Sequence, residues 1–97
     1  MTVQITIVGL GQIGASFGLA LAEKKDLVRR VGHDKDLKTA QKAEKIGAVD
    51  RIEINLPRAV RDADLVLVCL PLHEIRKTLE IIAPELKAGA VVMETGM

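Results

Sequence analysis

The chain has 97 residues, 48% of them hydrophobic and 28% charged, with a formal net charge of +1. That length supports one domain burying about 60–65% of its unfolded surface, and the scattered, balanced charge excludes a nucleic-acid or membrane-surface footprint. One phenylalanine and one cysteine exclude a base-stacking platform and an internal disulfide; with neither a secretory leader pattern nor a bilayer-length apolar run, the expected location is a reducing cytoplasm.

Val3–Val8 is a β-branched run that predicts strand β1. It leads directly into Gly9-x-Gly11-x-x-Gly14, where a helical pattern, α1, takes over across Ile13–Lys24. Ile13, Phe17, Ala20 and Leu21 form the expected buried stripe of that helix. A strand, a glycine turn and a helix in this order provide the context a dinucleotide-binding fingerprint needs. Gly9 permits the tight turn, Gly11 lets a pyrophosphate approach without meeting a Cβ, and Gly14 lets the helix lie close on the strand. With Leu10, Gln12 and Ile13 they form a turn whose free N–H groups and positive helix end suit a diphosphate.

Strand β2 is predicted at Val28–His33, and Asp34 stands at its end, 20 positions after Gly14. A carboxylate there can accept hydrogen bonds from both adenosine ribose hydroxyls, while a 2′-phosphate would meet a like charge. The expected cofactor is therefore NAD, with NADP disfavoured. Lys35 is a basic residue able to receive part of a phosphate, though its plainer role, like that of Asp62 and Asp64, is to face water. Asp34 could instead cap the next helix, but Asp36 is a rival cap that leaves it free.

Helix α2 is predicted at Asp36–Ile46, with Leu37, Ala40, Ala43 and Ile46 as its buried face and Gly47 as its stop. Arg51–Ile54 alternates polar and apolar, the pattern of a short half-exposed strand β3. Pro57–Asp62 reads as a short helix α3 with Asn55 as cap. The wholly apolar Leu65–Leu70 is β4, as expected of a parallel strand covered on both faces, and it ends at Pro71. Helix α4, His73–Ala83, carries Ile75, Leu79 and Ile82 at helical spacing, and Ala90–Glu94 is β5. This alternation implies an α/β, Rossmann-type doubly wound parallel sheet, strand order 3-2-1-4-5, with helices on both faces. Ligands bind such sheets where the order reverses, between β1 and β4. The candidate cofactor site is thus Gly9, Leu10, Gly11, Gln12, Ile13, Gly14 and Asp34, with Leu70, Pro71, Leu72 and His73 after β4 and Thr95 after β5.

Five segments together carry a resemblance: G-L-G-Q-I-G-A-S-F-G-L-A-L (Gly9–Leu21), G-H-D (Gly32–Asp34), A-x-x-x-G-x-x-D (Ala43–Asp50), D-A-D-L-V-L-V-C-L-P (Asp62–Pro71) and L-K-A-G-A-V-V-M-E-T-G (Leu86–Gly96). Over essentially the whole chain, the sequence resembles the N-terminal domain of the prephenate/arogenate dehydrogenases. The resemblance implies an NAD-dependent oxidative decarboxylation in tyrosine biosynthesis, acting on prephenate or arogenate. It also implies a following helical substrate and dimerisation domain, a homodimeric full-length protein, and catalytic residues beyond Met97. In this family the motif after β5 usually reads D-x-G-S; here Glu94, Thr95, Gly96 and Met97 occupy those positions, with methionine in place of serine. That departure opens one alternative, a 3-hydroxyacid dehydrogenase or imine reductase cofactor domain, and the end of the sequence soon after β5 opens another, a non-catalytic NAD-sensing module.

His73 and His33 are the histidines near this site; the first also reads as the solvated start of α4, and the second as a packing residue at the adenosine end. Ser16 reads as a small residue at a packing face. Cys69 reads as a small hydrophobe rather than a nucleophile. No cluster has metal-ligand spacing, so no metal is expected.

Overall fold

The structure, a computed structural model, describes residues 2–95. Five strands, β1 (Val3–Val8), β2 (Val28–His33), β3 (Arg51–Ile52), β4 (Leu65–Val68) and β5 (Val91–Glu94), form one sheet in the order β3-β2-β1-β4-β5. Every adjacent pair is parallel. The helices are α1 (Gln12–Leu21), α2 (Leu37–Lys45), α3 (Leu56–Arg61) and α4 (Leu72–Ile82), with single 3-10 turns at Ala22–Lys24 and Ala83–Glu85.

Alternate residues of β1 feed two separate cores, because successive side chains of a strand point to opposite faces. Ile5 and Ile7 pack with Leu10, Ala40, Ala43, Val49 and Leu67 beneath α1 and α2. Val8 joins Val60, Val66, Val68, Ile75 and Ile82 beneath α3 and α4. The sheet is therefore covered on both faces, as the alternating elements require. On the second face two polar residues of β1 are buried and satisfied: Gln4 Nε2 donates to Thr6 Oγ1 at 3.2 Å, and Thr6 Oγ1 donates to the Ala59 carbonyl at 2.6 Å.

Arg30, in β2, is the largest departure from an apolar interior. Its side chain is buried, and Nη1 donates to the carbonyls of Gly18 and Gly47, both at 2.7 Å, and of Ala48 at 3.0 Å. Nη2 meets Asp50 Oδ1 at 3.0 Å, and the Arg30 N–H donates to Asp50 Oδ2 at 2.8 Å. Burial pushes the Asp50 carboxyl upward, but the hydrogen bonds from Arg30 outweigh it and hold the group below the ordinary carboxylate range. One guanidinium thus ties α1 and the end of α2 to the sheet.

Several sequence expectations are corrected. In α1 the residues facing the sheet are Gly14 and Gly18, with Ala15 and Leu21 half-buried; Ile13, Phe17 and Ala20 are exposed, Phe17 at 42%. The cause is close backbone approach. A Cβ on Gly14 would collide with the Gly9 carbonyl, and one on Gly18 with the Ala48 carbonyl. The helix is seated by its glycines, which carry no weight in a hydrophobic pattern. In α2 only Ala40 and Ala43 of the predicted face are buried, while Leu37 and Ile46 are exposed. Strand β3 pairs over two residues rather than four, because Glu53 turns the chain: its carboxylate accepts the Asn55 N–H at 3.2 Å. Asn55 then caps α3, accepting the Arg58 N–H at 3.0 Å. Asp64 does not simply face water; it accepts the Gln4 N–H at 2.8 Å and Lys87 Nζ at 2.6 Å.

Candidate functional site

The turn between β1 and α1 is built from the backbone outward. Gly9 has φ +97, which side-chain-bearing residues rarely adopt, and a Cβ there would also meet the Cys69 carbonyl. Its N–H donates to the His33 carbonyl at 2.8 Å, and the Leu10 N–H donates to Asp34 Oδ2 at 2.8 Å. Gly11 then caps α1 in an extended conformation, φ −70 and ψ −162, with no side chain on the helix N-terminus and no acid in the first turn. The first N–H groups of a helix have no acceptor within it, so those of Gln12, Ile13 and Gly14 stand at the positive end of α1 with no side chain satisfying them.

A Cβ built on Gly11 meets nothing within 4 Å. Gly11 is among the residues lining a cleft of about 280 Å³. The lining comes from the ends of β1, β2 and β4: Gly9 and Gly11 on one wall, Asp34 and Lys35 at one end, Leu70, Pro71 and Glu74 on the other wall. A shallower continuation runs between Gly11, Gln12, Ile13 and Leu70, Pro71. The space above Gly11, the free helix amides and an acid at the end of β2 fit a dinucleotide: diphosphate on the turn, ribose at Asp34.

Asp34 has two structural partners. Oδ2 accepts the Leu10 N–H and Oδ1 accepts the Asp36 N–H at 2.9 Å. Each carboxylate oxygen has two lone pairs, which leaves one acceptor site on each for a ribose hydroxyl. The capping role belongs to Asp36, which accepts the Lys38 N–H at 3.1 Å and the Thr39 hydroxyl at 3.0 Å.

The structure gathers Gly9, Gly11, Gln12, Ile13, Asp34, Leu70 and Pro71 around the crevice. Leu10 contributes its N–H to Asp34, but its side chain is buried in the core beneath α1 and α2. Gly14 is buried against the turn. Leu72 lies outside the cleft, in an apolar groove with Ile75, Arg76, Leu79 and Glu94, because α4 starts one residue earlier than predicted and carries it to the outer side. His73 is 82% exposed, with Nε2 3.9 Å from Glu74 Oε2, and does not line the cleft. Thr95 continues the sheet by donating its N–H to the Val68 carbonyl at 3.1 Å; its hydroxyl is buried without a partner among the described residues. The Gly96 and Met97 positions of the motif after β5 lie outside the described residues.

Sequence reasoning missed Glu74, Thr78 and Leu56, and undervalued Cys69 and Lys35, all of which line the cleft. Glu74 had a signal available: an acid in the first turn of α4 lies at the mouth of the same loop as Pro71. Cys69 is half-buried, and burial pushes its thiol up, which argues against thiolate chemistry there. His33, which also lines the cleft, turns Nδ1 to the Glu53 carbonyl at 2.9 Å. Among the described residues no group of three or more His, Cys, Asp or Glu could hold a metal ion, and no helix is long and apolar enough to cross a membrane.

The fold and this cleft define a dinucleotide-binding domain. The family described as prephenate dehydrogenase, nucleotide-binding domain, matches residues 17–97, and the chain belongs to that family. The match begins after the glycine turn, so the turn is independent support. The chain is 34% identical over 92 residues to cyclohexadienyl dehydrogenase of Zymomonas mobilis, covering 95% of this chain and 31% of that protein. The crystal structure of Synechocystis arogenate dehydrogenase superposes with a TM-score of 0.85 at 30% identity, over 95% of this chain and 32% of that one. Prephenate dehydrogenase from A. aeolicus, solved with hydroxyphenyl propionate and NAD+, shares the fold, with a TM-score of 0.87 at 22% identity over 97% and 33% of the two chains. The chain therefore spans about a third of the length of these relatives.

Proposed function

We propose that this chain is the NAD-binding part of a dehydrogenase of the prephenate/arogenate type. One juxtaposition carries the reading: the uncapped start of α1 at Gly11–Ile13 and the Asp34 carboxylate share one cleft in a chain of this family. The diphosphate would rest on the N–H groups of Gln12, Ile13 and Gly14, beneath the open position of Gly11. The spare lone pairs of Asp34 would take the ribose hydroxyls, and a 2′-phosphate would meet its charge, so NAD is favoured over NADP. Leu70 and Pro71 form the apolar wall facing the turn, and Thr95 would lie toward the nicotinamide end, with Leu72 and His73 outside the cleft. When bound, NAD supplies the hydride acceptor; the residues of this chain bind it, orient it and set its selectivity.

The substrate, prephenate or arogenate, and the residues acting on it belong to a helical substrate and dimerisation domain beyond Met97, consistent with relatives about three times as long. We place the oxidative decarboxylation of tyrosine biosynthesis in the assembled cytoplasmic homodimer, not in residues 1–97 alone. The test is a spectrophotometric assay of the reading frame that encodes this chain, following NADH formation with each substrate. Turnover of either supports the reading and ranks the two. Silence from both, in a protein that binds NAD, overturns it in favour of a hydroxyacid or imine substrate or a sensing role.

A further inference from the structure

Lys35 follows Asp34 directly, and its side chain is 79% exposed. It nevertheless reaches across the cleft, placing Nζ 2.7 Å from Oε1 of Glu74 in the first turn of α4. The two residues stand 39 positions apart, one at the end of β2 and the other after β4, and both line the cleft with Asp34, Gly9 and Gly11. Lys35 is the one lysine or arginine among the lining residues. The hydrogen bond to Glu74 raises the lysine above its ordinary pKa, with Asp34 adding to the effect, and the same bond lowers the glutamate, with His73 adding to that.

We propose that Glu74 is a specificity-determining residue of the dinucleotide site: by holding Lys35 it removes the cation that a 2′-phosphate would need beside Asp34. The proposal rests on the cofactor reading above. An exposed ion pair is weak in itself, so the effect does not come from the strength of the strap. It comes from charge balance. A 2′-phosphate entering this end of the cleft meets two carboxylates, Asp34 and Glu74, and a single ammonium already engaged by one of them. A ribose hydroxyl needs no cation and is unaffected. With Glu74 neutral, Lys35 is free to act as a phosphate partner in the manner lysines commonly do.

The test compares NADH with NADPH by titration of nicotinamide fluorescence, and ADP with adenosine 2′,5′-bisphosphate by calorimetry, on the chain and its Glu74→Gln variant. Glu74→Gln should raise the affinity of NADPH relative to NADH, and of adenosine 2′,5′-bisphosphate relative to ADP, by about five- to tenfold. The gain should shrink at high salt, because the groups are exposed. Adding Lys35→Ala to Glu74→Gln should abolish the gain, an outcome that a merely structural role for Glu74 would not produce. An unmoved ratio of NADPH to NADH affinity in Glu74→Gln, or a gain that survives the loss of Lys35, overturns the proposal while leaving the cofactor reading intact. Failure of the unmodified chain to bind any of the four ligands overturns both.

Discussion

The two walls of the cleft are held in different ways. On the side of β2, α1 and α2 the apolar core is reinforced by close backbone and polar contacts: Gly14 against Gly9, Gly18 against Ala48, with the Arg30 guanidinium on three carbonyls and the Asp34 carboxylate on two N–H groups. On the side of β4 and α4 the contacts are between apolar side chains, Val66 and Val68 against Ile75 and Ile82. Beyond them the α1 face of β5 is open, with Val91 54% and Met93 55% exposed. Apolar packing tolerates a change of shape when volume is kept; a carbonyl in contact with a Cα, or a buried guanidinium with its acceptors, does not. The seat proposed for the diphosphate is thus on the wall with the least tolerance, which is what a site that must hold its geometry before ligand arrives requires.

The sharpest way to break this contrast is Arg30→Ala. It orphans three carbonyls and strips Asp50 of the guanidinium, leaving it only the backbone N–H of position 30, and should cost about 3–5 kcal/mol, a large part of the stability of a domain this size. Chemical denaturation monitored by circular dichroism measures it; a loss below about 1 kcal/mol would show that the Arg30 wall is not the stiff one. Next comes Asp34→Ala, which should weaken NAD by about 1–3 kcal/mol while harming NADP little or improving it. Equal losses for the two cofactors would reduce Asp34 to a brace for the glycine turn.

Acid provides a milder probe. The Asp50 carboxyl is held below its ordinary value in the native state, so its contribution is fully present above the unfolded carboxylate pKa of about 3.9 and is lost as pH falls through the lower folded value. The depressed Asp64 and Glu74 act in the same direction. The denaturation midpoint should therefore hold from neutrality to about pH 5 and fall below about pH 4, and Asp50→Asn should flatten that fall. Smallest of all is Met93→Lys on the open face of β5, which should change the stability of the chain by no more than about 0.5 kcal/mol. A large loss there would mean that this side is as closely built as the other.

The same contrast explains what was legible in the sequence. Strand order, parallel pairing and the cleft position followed from the alternation of β-branched runs and helical segments, and the Val3–Gly14 context located the turn correctly. Asp36 as cap and Asn55 as cap were also readable from residue type and position. The buried face of α1 was legible only at its glycines: the close seat of Gly14 followed from the fingerprint, whereas the hydrophobic periodicity that weighs Ile13 and Phe17 put exposed residues on that face. Arg30 was hidden for a related reason: nothing in a charged residue on a strand announces that three carbonyls from two other elements converge on it. The Lys35–Glu74 pair spans 39 residues, so no local pattern contains it. Leu72, His73 and Thr95 were placed by the general geometry of the fold, which fixes where a loop begins but not which way each side chain turns.

The most direct test is binding of NADH to the chain and to its Gly11→Val variant. Gly11 has ordinary extended dihedral angles, and a Cβ there touches nothing, so valine should leave the thermal transition close to that of the unmodified chain. It would fill the seat of the diphosphate, and NADH binding should be lost. A folded Gly11→Val protein that binds NADH with undiminished affinity would contradict the assignment of the cofactor to the glycine turn.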